Sequence, residues 1–251
     1  MSSPLPSFEV GACTDVGRVR LENQDAHAVF PNGRGPHGAA LFLVADGMGG
    51  EADGARASRI GSERFASTFF GGAGSVKENL REAVAVANSA VYEATLDGQR
   101  MGTTCTAIAV YPTGTGAQVM LAHVGDSQAF RIGPQGEARM ITRDHTVANE
   151  MVANGILTPE EAARHPRRHA LTRSLGTMPS VEPDVLPIGP AAPGVRFVLC
   201  SDGLAEVTPD EIADLVRQHP AQDAAERLVA LANDRGGRDN VTVVIVHVLG
   251  A

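Results

Sequence analysis

The stretch LFLVADGMGGEADG, residues 41–54, runs four apolar residues up to an acid, Asp46, and then turns at once into glycines. A strand fit for a protein core thus ends on a carboxylate. The pattern returns along the chain. VGDS ends a strand at Asp126, LCSDGL ends one at Asp202, and GGRDNV sets Asp239 just before the last strand. One Asp-Gly pair is an ordinary turn. Four acids at strand ends point to a site, because converging carboxylates repel one another unless protons or cations offset the charge. Aspartates on short stems beside backbone carbonyls suit hard divalent ions, Mg²⁺ or Mn²⁺. Glycine after the acid lets the backbone come close, which makes the Gly47 carbonyl a candidate ligand. The eight histidines show neither HExxH nor another close pair with metal spacing, which argues against zinc. His27, His123 and His247 fall in or beside strands and read as structural.

Outward from that strand, the chain divides into runs of strands and runs of helices. Strands are expected at FEVGAC, AHAVF and AALFLVAD, then helices over GARASRIGSERFASTFF and SVKENLREAVAVANSAVYEATL, with Ser75 as N-cap of the second. TTCTAIAVYP and AQVMLAHVGD read as a hairpin across TGTG, continued by SQAFRIG and GEARMIT. From Asp144 to Thr177 the pattern is helical, broken by Pro159 and Pro166. A strand at VRFVLCSDG, helices at TPDEIADLVRQH and PAQDAAERLVALANDRG, and a closing strand at NVTVVIVHV complete the chain. Both helix pairs follow a strand that ends in Asp-Gly. The expectation is α+β, antiparallel sheets covered by helices, rather than a parallel doubly wound sheet.

Composition narrows the function classes. At 251 residues the chain is long enough for one large core, and its 43% hydrophobic and 20% charged content is that of a globular protein. A net charge of −8 argues against a nucleic-acid partner. The longest apolar runs are too short to span a bilayer, and the first ten residues lack a signal-peptide pattern. Three scattered cysteines offer no disulfide framework, so the expected setting is cytoplasmic. Lys77 is the sole lysine beside twenty arginines, so contacts to phosphate or carboxylate fall mostly to guanidinium forks.

Read together, TDVGRVRLENQD, VADGMGG, GTT, HVGDSQAFR, TRDHT, LTRSLG, CSDGL and GRDNVTVVIV resemble, in order, the motif series of the metal-dependent (type 2C) serine/threonine protein phosphatases, most of all the compact bacterial members. The resemblance runs from about Val10 to Val248. It implies one catalytic domain over 1–251, a four-layer α-β-β-α sandwich with metals in a cleft at one end. Asp46 would bridge two ions, with the Gly47 carbonyl on the second and Asp202 and Asp239 completing the first. Asp25 would hold metal-bound water. Arg20 would grip the substrate phosphate, and Asp126 with Asp202 would form a third metal site. The cofactors implied are two core ions, Mn²⁺ or Mg²⁺, and a third.

The reaction implied is hydrolysis of protein phosphoserine and phosphothreonine by a metal-bridging hydroxide. The partners would be phosphorylated proteins, a serine/threonine kinase among them, met by a monomer. Two departures from the animal-type pattern stand out. Gln24 replaces a glutamate, and Met48 replaces the histidine taken to be the general acid. The resemblance implies a flap beside the cleft at about 149–169, with Arg167, Arg168 and Arg173 as candidate substrate contacts; the residues by themselves fit a helical pair on the surface equally well.

Other phosphate chemistries fit less well. No arginine stands six positions after Cys13, Cys105 or Cys200, as a cysteine phosphatase needs. RDHTVAN copies kinase catalytic-loop spacing, but no glycine-rich loop accompanies it. Two alternatives stay open at this level: a phosphatase dedicated to one regulatory phosphoprotein, and a catalytically dead phosphoprotein-binding module.

Overall fold

A computed structural model describes residues 4–49, 53–95 and 101–250. Phe8–Asp15 (β1), Asp25–Arg34 (β2) and Ala39–Met48 (β3) open the chain, followed by Asp53–Gly71 (α1) and Val76–Glu93 (α2). Then come Gly102–Thr103 (β4), Cys105–Thr113 (β5), Gly116–Val124 (β6), Gln128–Ile132 (β7) and Ala138–Met140 (β8). Two short helices, Val147–Ala153 (α3) and Pro159–Ala163 (α4), precede Asp184–Pro190 (β9) and Arg196–Cys200 (β10). Pro209–Gln218 (α5), Ala221–Asp234 (α6) and Val241–Val248 (β11) close it. One antiparallel sheet runs β1-β11-β10-β7-β8, and the other runs β2-β3-β5-β6-β9 with β4 against β3.

Burial explains the unbroken apolar run of β3. Leu41, Leu43 and Ala45 pack on α1 and α2, while Ala40, Phe42 and Val44 face the other sheet with Phe197, Leu199, Val244 and Val246. α5 and α6 cover the far face of the first sheet through Leu228, Ile212, Val243 and Ile245. The antiparallel sheets covered by helices that the pattern predicts, and the four layers that the resemblance implies, are therefore present. Asp46 continues the series 40, 42, 44, so strand alternation points it into the layer between the sheets. Ser75 caps α2 with a reciprocal capping box to Glu78. The expected last residue of that helix, Leu96, and Gly50–Ala52 of the opening stretch lie outside the described residues.

Three expectations need correction. β6 and β7 are not successive strands of one meander. β6 pairs with β5, and β7 pairs with β10 and β8 in the other sheet, so Gly125–Ser127 carries the chain across the sandwich. Residues 144–177 hold only two short helices; Pro159 starts the second of them behind a Thr158 cap rather than breaking one. β9 was not anticipated. Its Pro187 and Pro190 argue against a strand by local pattern, and both are tolerated because β9 is an edge strand pairing only with β6.

Asn240 fixes how the loop before β2 sits on this frame. Its side chain is buried, donates to the carbonyls of Val16 and Glu22 at 2.9 Å each, and accepts from the Gln24 amide at 2.9 Å. Asn240→Ala removes all three bonds at once. We expect it to cost about 2 kcal/mol and to make the 16–24 loop exchange its amide protons faster, read by thermal melting and hydrogen exchange. An unchanged melt and exchange pattern would show that the loop is held elsewhere.

Candidate active site

The acids meet because backbone devices bring strand ends together. In β2 and β3, Asp25 stands directly opposite Asp46. The GTT motif clamps the Asp46 backbone. Thr104 Oγ1 accepts from the Asp46 amide at 2.8 Å, while the Thr104 amide and Thr103 Oγ1 donate to the Asp46 carbonyl at 2.8 and 3.0 Å. Thr104 also shares a 2.7 Å hydroxyl contact with Ser127, beside Asp126. The crossing of the chain between sheets at Gly125 is held by His145, which donates its amide to the Gly125 carbonyl and accepts from the Gly125 amide.

Glycines serve close backbone approach here. A Cβ on Gly47 would sit 2.0 Å from the Gly54 carbonyl oxygen, and one on Gly203 would sit 2.0 Å from that of Asn240. Gly47 is therefore obligatory for packing the start of α1 onto β3. The Asp-Gly pairs that read as room for ions are at these two places room for the chain itself.

Electrostatics registers the crowding. Burial lifts the Asp46 carboxyl well above the ordinary range, with Asp25, Asp202, Asp126 and Asp239 adding to the shift. Burial pushes Asp126 up to about 7, helped by Asp202 and Asp144. Burial also takes Asp25 up to about 6, against the 2.7 Å bond that Ser201 Oγ donates to its Oδ2. Asp202 is raised by burial and by Asp239, while His169, a hydrogen bond to Asp46 and Arg20 pull it down. Carboxyls crowded in this way bind protons more tightly when no cation offsets their charge.

The residues fit hard divalent ions. Five acids share one electrostatic environment, the buried Oδ1 of Asp25 has no hydrogen-bond partner, and the donors are all oxygen. Among the described residues no three carboxylate, imidazole or thiol groups close on one point by themselves. An ion that keeps most of its waters needs only one or two protein carboxylates, so that spacing suits Mg²⁺ or Mn²⁺ and not a dry cage.

Asp46, Gly47, Asp126, Asp202, Asp239 and Arg20 line one cleft of about 630 Å³, together with Met48. Asp25 lies behind them, off the cleft wall and against Ser201. Arg20 is caught on Asp239, Nη2 to Oδ2 at 2.7 Å, with both side chains substantially exposed; such a pair is worth about 0–1 kcal/mol and opens easily. Asp15, which the sequence sets beside the same loop, is structural. Its Oδ1 accepts from the Gly17 amide and from Asn233 Nδ2. Arg173 is also turned away, bonded to Asp184 at 3.2 Å and facing His145.

Two residues near the acids were not singled out from sequence. Asp144 is raised to about 6 by burial, with Gln128 and Asn149 opposing, and its buried Oδ1 has no partner. His169 lines the cleft. The signal for Asp144 was present in TRDHT; His169 carried none, since only the folding back of residues 169–177 brings it to the acids.

Comparison with known proteins agrees with this geometry. A Streptococcus pyogenes protein described as a putative protein phosphatase 2C-type is 36% identical over 96% of this chain and 97% of its own. The structure of the Streptococcus agalactiae serine/threonine phosphatase superposes with a TM-score of 0.86 at 34% identity, covering 96% of this chain and 99% of that one. The serine/threonine protein phosphatase PstP of Mycobacterium tuberculosis is 38% identical over 95% of the chain, which spans 44% of that protein. The catalytic domain of PstP, solved with two manganese ions, superposes with a TM-score of 0.78 at 34% identity, covering 96% of this chain and 98% of that one. The family model for protein phosphatase 2C matches residues 17–244. That span takes in every strand-end acid of the cleft and the loop that carries Arg20, and the chain belongs to the protein phosphatase 2C family.

Proposed function

We infer that the chain is a metal-dependent protein serine/threonine phosphatase working through the Asp46 cleft. The observation that carries this reading is the sharing of one cleft by four acids from both sheets with an arginine at the rim. Asp46, the Gly47 carbonyl, Asp202 and Asp239 are the proposed holders of two Mn²⁺ or Mg²⁺ ions, and Asp126 with Asp202 those of a third. Bound ions would supply water activation near neutral pH and offset charge on the phosphate.

The chain's own groups do the rest. Arg20 leaves Asp239 and forks onto two phosphate oxygens, a bidentate contact stronger than the exposed pair it gives up. Asp25, with one oxygen fixed by Ser201 and the other buried and unpartnered, is the proposed holder of a water bound between it and the ions at the back of the cleft. Met48 gives no proton where a histidine is expected, so the proton for the leaving serine or threonine oxygen comes from the Asp126 side. Phosphoproteins are the proposed partners, a serine/threonine kinase among them. Residues 149–169, with α3 and α4, are the proposed flap, and His169 at its end faces the cleft. Among the described residues no helix is long and apolar enough to cross a membrane.

The reading is tested by turnover of p-nitrophenyl phosphate and of phosphoserine and phosphothreonine peptides with Mn²⁺, without metal, and with chelator. We expect activity with metal only. Full turnover in excess chelator would remove the metal-dependent mechanism.

Stability should follow pH in a defined direction. Asp25, Asp46, Asp126 and Asp202 have folded-state pKa values raised above the unfolded values. The folded state therefore binds more protons than the unfolded state, and stability falls as pH rises through the window from about 4 to about 7. In chelator the melting temperature should drop between pH 5 and pH 8. Saturating Mn²⁺ should reverse the loss at pH 8, adding about 3 kcal/mol at a hundredfold excess over Kd. A chelated protein that melts higher at pH 8 than at pH 5 would contradict the carboxyl cluster.

Asp46→Asn should abolish turnover, because it weakens the ligand proposed to serve both core ions. Arg20→Ala should leave metal binding intact and lower kcat/KM on phosphopeptides by roughly 10- to 100-fold, the worth of one charge-assisted contact of about 1.5–3 kcal/mol. Equal kcat/KM in Arg20→Ala and the parent would return Arg20 to a purely structural pairing with Asp239.

Asp126→Ala separates the third position from the first two. We expect a folded protein that still holds two ions by elemental analysis. Turnover should fall strongly on phosphopeptides, whose alkoxide needs a proton, and less on p-nitrophenyl phosphate, whose leaving group does not. Equal losses on both substrates would argue against proton supply from this side.

A further inference from the structure

Where β8 ends one sheet and β9 ends the other, a second cavity of about 480 Å³ opens between them. It shares no lining residue with the metal cleft. Three arginines line it: Arg131 on β7, Arg139 on β8 and Arg143 just beyond. Arg131 and Arg139 stand directly opposite each other in the β7–β8 ladder. Like charges so placed destabilise a sheet. Their orientation adds to the cost. Arg131 is registered beside Phe197, whose side chain belongs to the core between the sheets, so both guanidiniums occupy the face where apolar residues are expected.

Nothing among the described residues compensates for this. No ion pair or hydrogen bond is made by the side chains of these three arginines among the described residues. The carboxylate that lines the cavity, Asp184, is already taken by Arg173 at 3.2 Å and by His145 at 3.3 Å. In a chain of net charge −8, three unneutralised cations round one cavity form a concentrated positive site. Leu186, 46% exposed, lies in the same wall, in register with Leu121 of the core between the sheets.

We propose that this cavity docks an extended acidic segment of a phosphoprotein substrate, held apart from the metal cleft. Carboxylates of the segment would take the guanidinium forks, and apolar residues alternating with them would cover Leu186. A nucleic acid fits less well. Among the described residues no Phe, Tyr or Trp lines the cavity for base stacking, and the acidic remainder of the chain repels a long polyanion. The identity of the occupant rests on the phosphatase reading; the anion site itself does not.

The test uses the full chain and a fluorescent, unphosphorylated peptide of alternating glutamate and valine, followed by anisotropy. We expect Arg139→Glu to weaken binding at least tenfold while p-nitrophenyl phosphate turnover stays within twofold. On a phosphopeptide extended by the same acidic segment, the loss should appear in KM and not in kcat. Arg143→Glu, outside the strand ladder, should repeat the result if Arg139→Glu melts early. Because the probe carries no phosphate, its binding is read even in a chain without turnover, which separates this site from the phosphatase reading.

Unchanged affinity in both variants would overturn the proposal. So would displacement of the peptide by inorganic phosphate at equal concentration, or tighter binding of oligo(dT) than of peptide. Self-association of Arg131→Met/Arg139→Met with unaltered peptide affinity would mean that the arginines only guard the open strand edges.

Discussion

Mutual repulsion among the buried acids at one end of the sandwich is the interaction to which the rest of the fold answers. Asp25 and Asp46 face each other across two strands, and Asp25, Asp202, Asp126 and Asp239 all add to the upward shift of the Asp46 carboxyl. Left alone, such groups would move apart or take up protons. They cannot move apart, because each stands at or just beside the end of a strand whose apolar residues are locked into the core on both faces. The frame therefore stores the repulsion as elevated proton affinity, and any cation of the right hardness collects it as binding free energy.

That arrangement explains why so many polar residues around the cleft bind backbone and not substrate. Thr103 and Thr104 hold the Asp46 peptide groups, Thr104 ties that strand end to Ser127, and Asn240 stitches the Arg20 loop to the last strand. Ser201 bonds to the Asp25 carboxylate and also accepts from the Thr242 amide. Each spans two elements, so an acid is fixed from behind while its free oxygens face the cleft. Arg20 is the exception, resting on Asp239 by one exposed contact.

Much of this was legible in the chain. The unalternating β3, the helix pairs after each Asp-Gly, and the Ser75 cap are local facts of pattern and propensity, and they came through as expected. The strand-end acids could be recognised as a set because one motif repeats, and their nearness followed from strands packing side by side. Proline chemistry misled in two places. Pro187 and Pro190 hid an edge strand, and Pro159 began a helix it was expected to break, since local sequence does not record whether an amide hydrogen bond is needed at that position.

The sequence by itself determined the layers, the acids and the oxygen-donor chemistry, because these depend on residue type and short periodicity. Only the tertiary structure decided that Gly125–Ser127 crosses between sheets and so aims Asp126 into the cleft. It alone turned Arg173 away to Asp184, brought His169 in, and set Arg131 against Arg139 at the open edge of the sandwich. These outcomes depend on which strands become neighbours, a long-range choice made by burial of the whole apolar surface, and no window of the chain contains it.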